Sequence, residues 1–171
     1  MTMEGNTVYA VKVKFILPVW GQMHGFKAEE YPPLVEKYGE EAKHLDCFFF
    51  RTENPITRKQ EILIPGSTVY GAIKVALGKQ GVPMKYPWIF GIFVDEEHVK
   101  MNILKRTLPN GKSSLLCGEI ILPNTTGFLL IKDLPEEDLR PRVINLGKMK
   151  KQGYGLVEIL WETAERKTIT G

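Results

Sequence analysis

The chain has 171 residues, 43% of them hydrophobic and 25% charged, and a formal net charge of +3. That length suits one well-buried domain and is short for two, so residues 1–171 read as a single unit of ordinary globular composition. The charge is too small to prescribe a class of partner, which leaves its placement along the chain to do so.

Cys47 and Cys117 each lie beside apolar residues, and neither has a second Cys or His at metal-ligand spacing. Both read as buried free thiols, and no metal or other cofactor is expected. Residues 1–7 lack the basic start and apolar stretch of a signal peptide, and no run approaches the roughly 18 apolar residues that cross a bilayer. A cytoplasmic protein with no membrane partner is the expectation.

In chain order, residues 7–17 alternate, with Tyr9, Val11, Val13, Phe15 and Leu17 on one face and Lys12 and Lys14 on the other, as in a strand with one buried side. Pro18 and Gly21 end it. Residues 20–44, approximately, mix glycine, proline and charge around a short helical candidate at 33–43 and read as an ordered insertion. Residues 45–52 read as a second strand, and Asn54-Pro55 as the turn into an extended piece ending at Ile64. A helix follows: Ser67 or Thr68 can cap it, and Val69, Ala72, Ile73, Ala76 and Leu77 recur at helical spacing until Gly78 and Gly81 close it.

Residues 86–94 read as a strand, and 99–108 with 113–122 as a hairpin around Pro109-Asn110-Gly111-Lys112, because Asn and Gly both tolerate positive φ. A second hairpin is expected to join 117–122 to 127–132 through Pro123-Asn124-Thr125-Thr126. Residues 134–146 read as a helix that Pro141 kinks or delays, 156–161 as the last strand, and 165–171 as a solvated tail. This order suits an α+β fold, a ferredoxin-like (RRM-type) β-α-β-β-α-β core with an insertion after the first strand and extra β-hairpins. Its two helices would cover one face of the sheet and leave the other open.

Two glycine-bearing segments carry the functional signal. In Ile64-Pro65-Gly66-Ser67-Thr68-Val69-Tyr70-Gly71-Ala72-Ile73-Lys74 a strand end turns into a helix whose first N–H groups and two hydroxyls suit a phosphate. Taken alone, such a segment is also an ordinary turn and cap. Gly71, inside the helix, suggests close approach of a ligand or of another backbone. In Asn145-Leu146-Gly147-Lys148-Met149-Lys150-Lys151-Gln152-Gly153-Tyr154-Gly155, three lysines and three glycines suit a polyanion, and Tyr154 offers a ring for a base. No acidic residue occurs from 139 to 152, while Arg140, Arg142, Lys148, Lys150 and Lys151 do. A cationic helix end facing its own dipole would account for part of that charge. The lysine loop is expected to lie against the open face of the sheet.

These two segments, in this order and each beside a helix and a strand, resemble the Ile-Pro-Gly-Ser-Ser strand-to-helix segment and the C-terminal glycine-rich loop of the CRISPR-associated RAMP superfamily. The resemblance covers roughly residues 7–161. It implies a single RAMP-type domain that binds CRISPR RNA, with other CRISPR-associated subunits as partners in an interference complex of antiviral defence. The RNA-binding residues it points to, with the basic residues nearby, are Arg51, Arg58, Gly66, Ser67, Thr68, Lys74, Arg142, Lys148, Lys150, Lys151, Gly153 and Tyr154. Tyr70 stands where the family usually has a lysine, so that contact is absent or comes from Lys74. The Ser-Thr-Val-Tyr-Gly-Ala run is also similar to the subunit type that caps the guide's 5′ end.

Two alternatives stay open, a metal-independent endoribonuclease that processes precursor CRISPR RNA and a RAMP-fold scaffold or inhibitor without RNA affinity. Cleavage through a 2′-hydroxyl needs a base, an acid and a cation. His24, in the loop after the first strand, is the candidate catalytic residue. Alternation through Phe48-Phe49-Phe50 buries part of the run and leaves at least one ring on the opposite face, for a base or for the insertion.

Overall fold

The computed structural model describes residues 7–78, 86–147 and 153–169. β1 (Thr7–Phe15) runs through the middle of a seven-stranded sheet, and its alternation does the work expected of it. Val11, Val13 and Phe15 are fully buried on one face, while Lys12 and Lys14 are exposed on the other. β1 pairs antiparallel with β8 (Thr125–Ile131) on one side and β10 (Leu156–Thr168) on the other. The remaining strands are β3 (Phe50–Glu53), β4 (Gln60–Pro65), β5 (Ile89–Val94) and β9 (Val143–Asn145), and the order is β3-β4-β5-β8-β1-β10-β9, antiparallel throughout.

A second, three-stranded antiparallel sheet has the order β2-β7-β6, from β2 (Val19–Trp20), β7 (Ser113–Ile121) and β6 (Val99–Thr107). Two α-helices complete the described residues: α1 (Pro32–Tyr38) within the insertion and α2 (Gly66–Leu77) between β4 and β5. The main core lies between one face of the large sheet and a layer made of α2 and the second sheet. Val69 and Ile73 of α2, Val19, Val99 and Ile121 of the second sheet, and the inward residues of the large sheet form one cluster. Full burial of Val69 or Ile73 stabilises by roughly 1.5–3 kcal/mol, which is what docks α2.

Several expectations are corrected. Residues 134–146 form a 3-10 turn at Glu137–Leu139 followed by β9, because Pro135 and Pro141 each remove a backbone donor and Val143-Ile144-Asn145 alternates exposed, buried, exposed. Residues 117–122 and 127–132 do not form a hairpin. β7 pairs with β6 and β2, whereas both edges of β8 are taken by β1 and β5, so the turn at Asn124 (φ +62°) carries the chain from one sheet to the other. Glu165 to Thr168, expected in a tail, extend β10 against Thr7 to Ala10 of β1, beyond a bulge in β10 between Leu160 and Glu165. The second strand begins only at Phe50, since Cys47 and Phe48 make isolated bridges to Gly118 and Gln22 that anchor the insertion.

The opposite face of the sheet, expected to be open, is covered in part: Ala10, Phe93 and Leu130 are buried there, with Ile56 and Leu63 packed against them. Ala10, Lys12, Phe128 and Leu130 lie on it, away from α2.

Candidate nucleic-acid interface

α2 starts directly from the end of β4, with Pro65 as its N-cap and no side chain capping its first turn. Ser67 and Thr68, expected as caps, sit within that turn instead, and the Thr68 hydroxyl accepts a hydrogen bond from Gln22 Nε2 at 3.1 Å. Gly66 owes its identity to packing, because a Cβ there would collide with the carbonyl oxygen of Ile89. Gly71 is different. A Cβ on it would meet nothing within 4 Å, so no contact inside the protein asks for glycine.

The last glycine-bearing segment is tied at its base by two backbone hydrogen bonds, Leu146 N–H to Gly155 O and Gly155 N–H to Pro18 O, each 2.8 Å. Gly147 and Gly155 take positive φ, +78° and +91°, and side chains there would strike Trp20 O and Leu146 O respectively. Tyr154 is half-buried and meets Trp20 edge-on at 5.9 Å, so its ring anchors the loop on the second sheet. Lys148, Lys150 and Lys151 lie outside the described residues.

These two segments, remote in sequence, line one groove of about 460 Å³: Thr68, Gly71 and Val75 of α2 on one side, Asn145, Leu146 and Gly147 on the other. Val75 is 81% exposed, so this flank of α2 is open to solvent. The groove is on the α2 side of the sheet, so the described ends of the loop do not lie against the opposite face, which corrects that expectation. β9 in place of the expected helix is the reason, since its pairing with β10 carries Leu146 into the main core beside α2.

The other candidates separate. Lys74 leans over the Tyr70 ring at 5.4 Å. Gly153 (φ +87°) is exposed with open space around it. Arg58, also at positive φ (+65°), sits in the β3–β4 turn near Glu53, and Arg142 donates to Glu158 Oε2 at 3.0 Å along the β9–β10 edge. Neither lines the groove.

Arg51 is a correction. Its side chain is fully buried, and all five N–H donors are spent inside the protein: Nε and Nη2 on Glu96, Nη1 and Nη2 on Glu119, and Nη1 on Phe49 O. Burial opposes its charge, but the bonds to Glu119 and Glu96 outweigh that and raise its pKa further. Tyr38 donates to Glu119 at 2.6 Å, and burial with the neighbouring Glu119 charge pushes its phenol up. Glu96 is held below the usual carboxylate value, since the hydrogen bonds from Arg51 and Lys37 overcome its burial. The cluster joins the insertion, β3 and the second sheet, and no donor of Arg51 remains for a phosphate.

His24 packs between Phe48 and Phe50, ring centroids 4.3 Å from each, and its Nε2–H donates to Phe48 O at 2.8 Å. The cleft it shares with Thr68 and Gly147 has a volume of about 10 Å³, room for about one water. Phe48 and Phe49 are buried, and Phe50 packs on His24 under the insertion.

A further basic surface escaped the sequence reading. The β6–β7 hairpin presents Lys100, Lys105 and Lys112 to solvent, with Ile103 and Leu115 60% and 65% exposed. The signal was legible, because no acidic residue occurs from 99 to 118. Among the described residues, no group of His, Cys, Asp and Glu could hold a metal ion, and no helix is long and apolar enough to cross a membrane.

No known protein family matches the chain, and no curated protein matches it in sequence. Among solved structures, the fold is similar to that of a chain in the type III-B Cmr-β complex bound to cognate target RNA, determined by cryo-electron microscopy, with a TM-score of 0.60 at 13% identity. The match covers 98% of this chain and 63% of that one, so this chain spans less than two thirds of its neighbour's length. What the two share at that identity is a fold, and this chain is a mixed α+β protein built mainly from antiparallel strands.

Proposed function

We propose that this chain is a RAMP-type, RNA-binding subunit of a cytoplasmic CRISPR effector complex that grips guide RNA by its backbone, in the groove between α2 and the last glycine-bearing loop. The observation that carries this reading is the convergence of Thr68, Gly71 and Val75 with residues 145–147 on one solvent-open groove, with a glycine, Gly71, that packing does not require. The strand order β10-β1-β8-β5, with α2 leading into β5, supports a ferredoxin-like core in which the β9 segment stands in for the second helix. Likeness in fold to a chain of an RNA-bound Cmr-β complex supports the same class. Lys148, Lys150 and Lys151 follow directly on Gly147 and supply the charge; Gly153 gives the backbone room to approach a phosphate.

Backbone contacts carry no sequence information, so selectivity falls to base pairing by the guide itself. His24 gives the ribonuclease alternative little support, because its ring is packed among aromatic residues in a cleft too small for a nucleotide. Changing Lys148, Lys150 and Lys151 together to Ala is expected to lower affinity for a single-stranded guide at least about tenfold, and to flatten the log–log salt dependence by about two. Unchanged affinity, or wild-type binding insensitive to salt, refutes the reading and favours a scaffold without RNA affinity.

A further inference from the structure

On the other flank of α2 lies a second depression, of about 310 Å³, lined by Ser67, Tyr70, Tyr86, Pro87, Trp88 and the backbone of Gly66. Its aromatic content is high for an exposed site. Trp88 is 67% exposed, and among the described residues its ring makes no aromatic contact and its side chain no hydrogen bond. The backbone beneath it is fixed, since Lys132 N–H donates to Trp88 O at 2.8 Å and Ile89 pairs with Ile131 of β8. The Tyr70 and Tyr86 rings lie 5.9 Å apart, tilted by 43°, and Tyr86 is held by a hydrogen bond to Leu139 O at 3.0 Å. Lys74 sits over the Tyr70 ring. The result is an aromatic cleft on a hydrogen-bonded backbone, with one uncovered indole and a cation over Tyr70.

We propose that this cleft stacks one unpaired nucleobase of the bound RNA on Trp88, a reading that rests on the RNA-binding function proposed above. Three observations favour a base over an apolar protein side chain. The walls carry three aromatic rings, and such rings attract a flat heteroaromatic base whatever its sequence identity. Two cations lie beside the tyrosines, Lys74 over Tyr70 and Arg140 near Tyr86, and suit the phosphates on either side of such a base, while the exposed acids Glu136, Glu137 and Asp138 lie next to Leu139, the partner of Tyr86. The cleft and the groove also flank the same first turn of α2, Ser67 lining this one and Thr68 the groove. A strand that leaves the groove across that turn would bring a base to the Trp88 side of α2. Gly66 sets the spacing, since its close approach to Ile89 O holds the start of α2 against β5.

Trp88 is itself the probe. Trp20 is fully buried and Trp161 half-buried, so the difference in acrylamide quenching between the intact chain and Trp88→Phe reads Trp88. A ten-nucleotide oligoadenylate is expected to shield that fluorescence, and an abasic strand of equal length is not. Trp88→Ala should weaken oligoadenylate binding about tenfold in an anisotropy assay at an unchanged melting temperature, and Trp88→Phe should restore most of it. Undiminished binding by Trp88→Ala, or equal shielding by the abasic strand, overturns the cleft while leaving the groove standing. A wild-type chain that binds no oligonucleotide overturns both. Self-association that Trp88→Ala abolishes, with RNA affinity unchanged, assigns the indole to a protein contact and likewise refutes the base site.

Discussion

Gly71→Ala separates two reasons for a glycine in the middle of α2. In an isolated helix, glycine at such a position costs roughly 0.5–1 kcal/mol relative to alanine, because the unfolded chain loses more freedom on folding. Nothing in the protein offsets that cost, since the added Cβ has open space for 4 Å around it. The variant is therefore expected to be more stable by about 1 kcal/mol, a rise in melting temperature of about 2–4 °C for a chain of this size. The same methyl group projects toward the groove, where a ribose-phosphate backbone would need to approach the helix closely. Affinity for single-stranded RNA, measured by fluorescence anisotropy, should fall about tenfold. Because no charge is removed, the dependence of affinity on salt should keep its slope, unlike the loss produced by removing lysines. Gly66→Ala is the internal contrast: its Cβ collides with Ile89 O, so it should destabilise the chain. A Gly71→Ala chain that is more stable and binds RNA as tightly as wild type would refute the groove as the RNA path.

Arg51→Met leaves Glu119 buried and without its guanidinium, which should cost about 3–5 kcal/mol and lower the melting temperature by about 10 °C or more. RNA affinity of the folded variant should be unchanged; a tenfold loss of affinity at wild-type stability would restore Arg51 as a contact. Glu96 predicts an acid sensitivity with a definite sign. Its folded pKa lies below the ordinary value of about 4.5, so the unfolded chain binds the proton first, and the stability this carboxylate contributes is present above about pH 4.5 and lost as pH falls through the lower folded value. Glu96→Gln should be less stable at pH 7 and should lose less stability between pH 5 and 3 in thermal melts, and parallel pH profiles would refute this.

Local patterns in the sequence determined much of this protein. The period-2 run of β1, the helical spacing of Val69, Ile73 and Leu77, and the Asn110-Gly111 turn of the β6–β7 hairpin each depend on neighbours a few residues away, and each forms as read. The two glycine-bearing segments were likewise visible as the chemically unusual stretches of the chain. What periodicity does not report is which strand pairs with which, so the turn at Asn124 read as a hairpin although it joins two sheets. Nor does charge report burial. Arg51 looked like a surface cation until Glu119, 68 residues away in sequence, took it into the interior. The residues at 134–146 were ambiguous for a physical reason: apolar spacing allows a helix there, and only the prolines and the free edge of β10 decide for a strand. The groove and the aromatic cleft exist only in three dimensions, because packing of α2 between β9 and β5 is what brings Gly71 near Gly147 and Tyr70 near Tyr86.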